Sequence, residues 1–392
     1  MNELREIARE ASTEIVRLRR DFHQHPEVSF EEERTARVVG EYLEGLGLRV
    51  TRPSGMTGLW ADLHVDGSSR TLSFRADMDA LAMDESEAPS KKDFLSRNAG
   101  AAHCCGHDSH MAMLLAAARL LANGQVSPRH NIRFLFQHAE EKAPGGAIDL
   151  IRAGCLEGVD EIYGIHVIPP IPSGLFNVLE GPFMAAADEI LITVRGKGGH
   201  AAMPHLVRDP IVASAQVVTA LQQLVSRRTS PFESLVVTIS SIRGGSGTTN
   251  VIPDVVELLG TVRTLSEDLW KNAPEWVEET ATAAARSSGC EATLDYRRGY
   301  PVLVNDPEAT ERARAAVRAL FGNEALLRQP VPLMGGEDFA RYGELLPSCY
   351  VFLGVGSGER GITAPNHATD FDVDEESLYR GTAWYLELAQ SP

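Results

Sequence analysis

The sequence predicts an α/β protein with a mainly parallel sheet, into which a smaller ferredoxin-like domain is inserted. Three observations carry this. Up to residue 184, short apolar runs alternate with helical patterns, as in a parallel sheet with crossover helices. From Ala185 the order becomes βαββαβ, the ferredoxin-like unit. After Tyr300 the first style returns, so the middle segment interrupts the domain around it. The expected division is 1–184 with 298–392 as one domain and 185–297 as the insert.

The elements follow in order. Leu4, Ile7, Ala11, Ile15, Leu18 and Phe22 form one helical stripe that Pro26 stops. Ser29 and Glu32 have the spacing of a capping box before the stripe Ala36, Val39, Leu43 and Leu46. Strands are expected at Leu59–His64, Thr71–Ala76, Ile132–Gln137 and Ile162–Val167, with a helix at Met111–Leu121. The insert reads as strand Glu189–Arg195, helix Asp209–Arg227, strands Leu235–Ile242 and Val251–Arg263, helix Glu267–Ser287 and strand Glu291–Arg297. Helix Pro307–Phe321 and strand Cys349–Gly354 complete the outer domain.

The 392 residues are too many for one ordinary compact domain, and 43% hydrophobic with 23% charged residues indicates a sizeable core. The net charge of −17 disfavours nucleic acid and anionic membrane surfaces as partners. An anionic substrate would need a local cation. The most apolar run, Met111 to Ala122, is too short to span a bilayer and is interrupted by Arg119. MNELREIARE mixes charges and has no apolar stretch, so an export signal is not expected. Five sparse cysteines agree with a reducing, cytoplasmic setting.

Four clusters carry metal chemistry. Cys105 and His107 lie two apart in AHCCGHD, close enough to aim thiolate and imidazole at one ion. Glu140 and Glu141 follow an apolar strand, where ligands bind in open α/β sheets. One carboxylate can bind metal while its neighbour moves a proton. His166 ends the run Ile162–Ile165, and His367 stands in NHATD. Taken singly, each has an ordinary structural alternative: buried cysteines, an acidic turn, a capping histidine. Together they can supply two ions. In RADMD, Asp77 and Asp79 fall on one side of a strand and can orient ligand histidines from behind.

The ordered motifs RADMDA, HxCGHD, FQxAEE with PGGA, GxHV, GKGGHAAMPH, NVIPD, GTVR and GGEDF resemble the dinuclear metal aminoacylase/carboxypeptidase family. Within it the chain is similar to the branch of hippurate hydrolases, N-acyl-amino-acid amidohydrolases and auxin-conjugate hydrolases. The resemblance implies a metallopeptidase-like catalytic domain with an inserted dimerisation or lid domain. It implies hydrolysis of an N-acetyl, N-benzoyl or aryl-acyl amino acid, with two divalent ions (Zn, Mn, Co or Ni) per subunit of a homodimer or higher homo-oligomer. Cys105, His107, Glu141, His166 and His367 match the metal ligands, and Glu140 the general base. His200 matches a residue that crosses a dimer interface to the oxyanion. Asn250 and Arg263 match the residues that hold the substrate carboxylate. Asp77, Asp79 and Asp108 would support the ligands.

Three positions depart from the family pattern: Ala82 replaces a proline, Cys104 a small residue beside Cys105, and His138 a proline before Ala-Glu-Glu. The segment 85–98 is also unusually charged. These departures keep two other readings in view. One is the same metal site acting on a dipeptide, carbamoyl or aryl-amine C–N bond. The other is a non-catalytic metal-binding or thiol-sensing protein using Cys104 and Cys105.

Overall fold

The computed structural model describes residues 2–391 apart from Glu87 and Pro89, so those two positions of the charged 85–98 segment lie outside the described residues. Two compact units divide the chain. The first comprises 1–181, 304–331 and 338–392; the second comprises 182–303 and 332–337. The return of Pro332–Glu337 to the second unit has no signal in the sequence. It joins through a parallel bridge between Met184 and Leu333.

The first unit is built on a seven-stranded sheet. Its centre is a parallel block in the order Asn131–Gln137, Thr71–Asp77, Glu161–Pro172, Ser348–Gly356. Leu59–Leu63 and Arg49–Thr51 extend it antiparallel on one side, and Phe176–Asn177 on the other. The central strands are buried along most of their length, as parallel strands covered on both faces should be. Helix His107–Ala122 is buried nearly all round, so it is a core element rather than an amphipathic surface helix. It packs with Ser12–Gln24 and Leu378–Gln390 in one hydrophobic core.

Local details differ from the sequence reading. The first stripe forms two helices, Glu3–Glu10 and Ser12–Gln24, divided at Ala11. The capping box at Ser29 and Glu32 does not form: helix Glu33–Gly45 has no side-chain cap from Glu32. Its first free amides, Arg34 and Thr35, donate instead to Glu27. The 161–172 strand runs well past Ile165, so His166 lies inside it rather than at its end.

The second unit carries an antiparallel sheet in the order Leu235–Gly244, Val255–Thr264, Ala186–Arg195, Glu291–Tyr300. With helices Pro210–Gln223 and Glu267–Ser287 this is the βαββαβ arrangement, with a core of its own. The single strand expected at Val251–Arg263 is two. Val251–Ile252 pairs with Gly199–His200, and Val255–Thr264 joins the sheet after Pro253 and Asp254.

An ion network around the fully buried Arg19 ties the first unit together. Arg19 donates to Asp108 at 3.1 Å, Asp372 at 2.6 Å and Glu375 at 3.0 Å. Removing one partner from a buried pair leaves uncompensated charge and costs about 3–5 kcal/mol, whereas an exposed pair is worth at most about 1 kcal/mol. Arg19→Leu should therefore lower the urea-unfolding free energy of the first unit by several kcal/mol. Arg20→Leu, which removes a half-exposed partner of Glu375, should barely move it.

Candidate metal centre

The central strands bring the expected residues of the first unit to one place. The register pairs Arg75 with Gly164, so two residues on, Asp77 stands level with His166. Gly106 adopts φ 101°, and a Cβ there would strike Val167. Only glycine fits this tight turn, which starts helix His107–Ala122 and separates Cys105 from His107.

Two trios have donor atoms within 4.8 Å of one another: Cys105, His107 and His166, and Cys105, Glu141 and His367. Between them they contain all five expected ligands, with Cys105 in both. Glu140 forms a further trio with His107 and Glu141. Cys105 Sγ lies 3.4 Å from His166 Nε2. Cys104 turns the other way, into the hydrophobic core.

The orientations of these candidate donors have identifiable supports. His107 Nδ1 donates to the Asp79 carbonyl at 2.8 Å, which leaves Nε2 facing the cluster. His166 Nδ1 donates to the Val167 carbonyl at 2.9 Å, leaving Nε2 beside Cys105. The carboxylate of Asp79 accepts the amides of Glu140 and Glu141, each at 3.0 Å. His367 adopts φ 68° and donates its amide to the Cys104 carbonyl at 2.7 Å. Asn366 ties the same loop to the carbonyls of Cys105 and Val167.

Electrostatics point the same way. Burial opposes a charge on His107, but Asp77, Asp79 and Glu141 outweigh it and push the imidazole up to about 10. Burial, with Glu141 and Glu140, drives the Cys105 thiol well above its usual range. Burial and the neighbouring His110 hold His166 far below, in its neutral form. His107 Nε2 is buried without a hydrogen bond, and Glu141 Oε1 has ion-pair contact only, with His367 Nε2 at 3.2 Å. Such atoms cost about 1–3 kcal/mol each unless something takes their lone pairs. Thiolate, imidazole and carboxylate donors around excess negative charge fit divalent metal ions.

The three supporting aspartates divide. The Asp79 carboxylate stands 3.4 Å from His107 Nδ1, but the hydrogen bond of that nitrogen goes to the Asp79 backbone carbonyl. Asp77 makes no hydrogen bond to His107; its oxygens take Arg75 at 2.5 Å and His110 at 2.6 Å. Asp108 is a correction: it turns from the ligands to Arg19, His23 and the Ser109 amide. His138 packs edge-on to Phe30 and beside Gly58, not in either trio. His110, unnoticed in the sequence, accepts the Val167 amide at 2.9 Å while donating to Asp77. Its spacing of three from His107 on one helix face was the available signal.

In the second unit, His200 and Asn250 share the two-stranded ribbon, where Val251 pairs with His200 and Ala201 donates to the Asn250 carbonyl. His200 is exposed and accepts the Ala202 amide. Arg263 lies near the other end of strand Val255–Thr264, bonded to the Met334 carbonyl at 3.4 Å.

Comparison with known proteins agrees with this fold. Residues 73–391 match Peptidase family M20/M25/M40. The chain is 35% identical over 392 residues to thermostable carboxypeptidase 2 of Saccharolobus solfataricus, covering 99% of this chain and 98% of that protein. It is 41% identical over 311 residues to an N-acyl-L-amino acid amidohydrolase of Geobacillus stearothermophilus, covering 79% and 83%. The crystal structure of a dinuclear metal binding peptidase of the M20 family from Bacillus subtilis superposes with a TM-score of 0.83 at 33% identity, covering 97% and 98%.

The two cysteines should separate cleanly. Cys105→Ala should lose bound metal after Zn²⁺ or Mn²⁺ loading, measured by elemental analysis. Cys104→Ala should keep it and lose only about 1 kcal/mol of stability through a small core cavity.

Proposed function

The chain belongs to peptidase family M20/M25/M40, and we propose that it is a metal-dependent amidohydrolase that cleaves N-acyl amino acids into a carboxylate and a free amino acid. The observation that carries the reading is the pair of trios sharing Cys105, with Glu140 beside them and close to His107. The intact donor set argues against a non-catalytic metal or thiol sensor. The core position of Cys104 leaves no vicinal dithiol to sense with.

Cys105, His107, Glu141, His166 and His367 would hold two divalent ions. When bound, such ions polarise a carbonyl and make a water more acidic. Glu140 then takes the proton of the attacking water and hands it to the leaving amine nitrogen. His200 donates to the oxygen that becomes negative, a contribution whose removal typically costs about 10²–10³ in rate. Arg263, with its planar fork of donors, and Asn250 hold the substrate carboxylate.

The insert's geometry makes a second chain part of this proposal. Val255 and Arg263 are eight residues apart on one strand, roughly 26 Å at about 3.3 Å per residue. His200 lies beyond the Val255 end, on the ribbon with Val251. A dipeptide-sized substrate spans only about 7 Å. This separation argues against one chain offering both contacts to one substrate, so we assign His200, and with it Asn250 on the same ribbon, to the partner's site in a homodimer.

A turnover screen of N-acetyl, N-benzoyl and indole-acyl amino acids with added Zn²⁺, Mn²⁺, Co²⁺ or Ni²⁺ tests the reaction class. Preference for dipeptides or carbamoyl substrates in that screen would move the assignment to those bonds. Glu140→Gln should lower kcat by at least about 10³ with metal retained. If Glu141→Gln does this instead, the two roles are exchanged.

Subunit exchange tests the partner assignment. Mixing inactive His200→Ala with inactive Glu140→Gln should restore roughly a quarter of wild-type activity, because half the dimers are mixed and each has one good site of two. No recovery despite proven exchange would place His200 in its own chain's site or in none.

A further inference from the structure

Ser29 and Glu32 do not cap a helix, yet neither faces solvent. Ser29 Oγ donates to Asp79 at 2.6 Å, the carboxylate that holds the amides of Glu140 and Glu141. Glu32 is fully buried. Its Oε2 accepts the Thr57 hydroxyl at 2.6 Å. Its Oε1 accepts two amides, Phe30 at 3.0 Å and Ala139 at 2.8 Å. Among the described residues, the non-glycine residues with positive φ are Phe30 at 71°, Ala139 at 51° and His367 at 68°. Two of these three donate to the same carboxylate oxygen.

Ala139 is where the chain's direction is decided. Consecutive residues of an extended strand project to opposite faces. Glu140 and Glu141 are consecutive, yet both bring an oxygen within 4.8 Å of a His107 nitrogen. The left-handed step at Ala139, just past strand Asn131–Gln137, is what departs from the strand's alternation. Left-handed backbone is unfavourable for residues with a Cβ and persists only where surroundings enforce it. With Glu32 on Ala139 and Asp79 on Glu140 and Glu141, three successive amides are each held by a buried carboxylate.

We propose that Glu32 is a positioning residue for the general base: through Oε1 it holds Ala139 in the left-handed turn that aims Glu140. This rests on the amidohydrolase reading, with Glu140 as base. The role requires an acceptor at Oε1, not a negative charge. Glutamine keeps that acceptor and can donate its amide to the Thr57 hydroxyl; leucine keeps the approximate volume and removes the acceptor.

The test compares Glu32→Gln, Glu32→Leu and Glu32→Asp in the metal-loaded enzyme, with the best substrate of the screen. Glu32→Gln should keep kcat within about threefold. Glu32→Leu should lose at least tenfold in kcat, with KM within threefold and both ions retained. Glu32→Asp, which withdraws the acceptor by one methylene, should lose more kcat than Gln and serves where Leu does not fold. Hydrogen exchange of the Phe30 and Ala139 amides supplies a readout that needs no substrate: slow in wild type and Gln, fast in Leu or Asp. If wild type turns over no N-acyl amino acid, the amidohydrolase reading fails while exchange still reports on Glu32. The proposal is overturned if Gln is as inactive as Leu, which would indicate carboxylate chemistry at Glu32. It is equally overturned if Leu or Asp lowers only the melting temperature while the folded enzyme keeps wild-type kcat and amide protection.

Discussion

The carboxylate of Asp79 is the constraint on which the site is built. It is buried, so its charge is tolerable only if donors surround it. Burial works against ionisation, but His107, Ser29 and the Glu141 amide outweigh it, and the group stays below the ordinary carboxylate range. Each partner comes from a different piece of chain: Ser29 in the turn before helix Glu33–Gly45, the His107 ion pair at the start of helix His107–Ala122, and the Glu141 amide in the loop after strand Asn131–Gln137. One charge therefore fixes three segments that are far apart in sequence. Its own backbone carbonyl holds His107. Moving any one segment would leave this charge short of a partner.

The same principle operates one step out. Arg75 and Gln137 both donate to Asp338, and Gln137 accepts from Tyr342. Asp338 also accepts the Ala147 amide, which fixes the return of the chain after the Glu140 loop. His110 passes the order to the other strand by holding Val167, whose carbonyl fixes His166. Buried polar groups satisfied this fully favour one arrangement over its neighbours. That suits a cluster whose own charges repel until cations are bound.

Much of this was legible in the sequence. Short apolar runs and period-3.6 stripes revealed the parallel block and the βαββαβ insert, because burial imposes them. The Cys-Gly-His spacing and the paired glutamates identified the cluster, because ligation requires those side chains. Polar residues that act through hydrogen bonds were harder. Ser29 and Glu32 have a helix-start spacing, and only the tertiary position of Ala139 and Asp79 reveals what they bond. Asp108 adjoins His107 in sequence, but its direction is set by Arg19 and His23, both on a helix far upstream. Pattern reading sees periodicity; it does not see which distant donor a carboxylate meets.

The departures near the site bear on the substrate less than their charge suggests. Lys91 is fully buried, and its ammonium bonds Glu85 at 2.7 Å. Glu85 also meets His23 at 3.1 Å, whose other nitrogen meets Asp108 at 2.7 Å. These charges neutralise one another inside the first unit and tie the segment to helix Ser12–Gln24. The backbone beside them bonds Thr369, two residues from His367. A segment so engaged braces the site; its Glu85 and Lys91 are not free to read a substrate's charge. His138 is likewise spent on packing against Phe30, with burial holding its imidazole below the usual range and so neutral. Recognition of a carboxylate by this acidic chain then depends on the cation proposed for it in the insert, Arg263. The acyl group is left to be selected by shape rather than by charge from these departures.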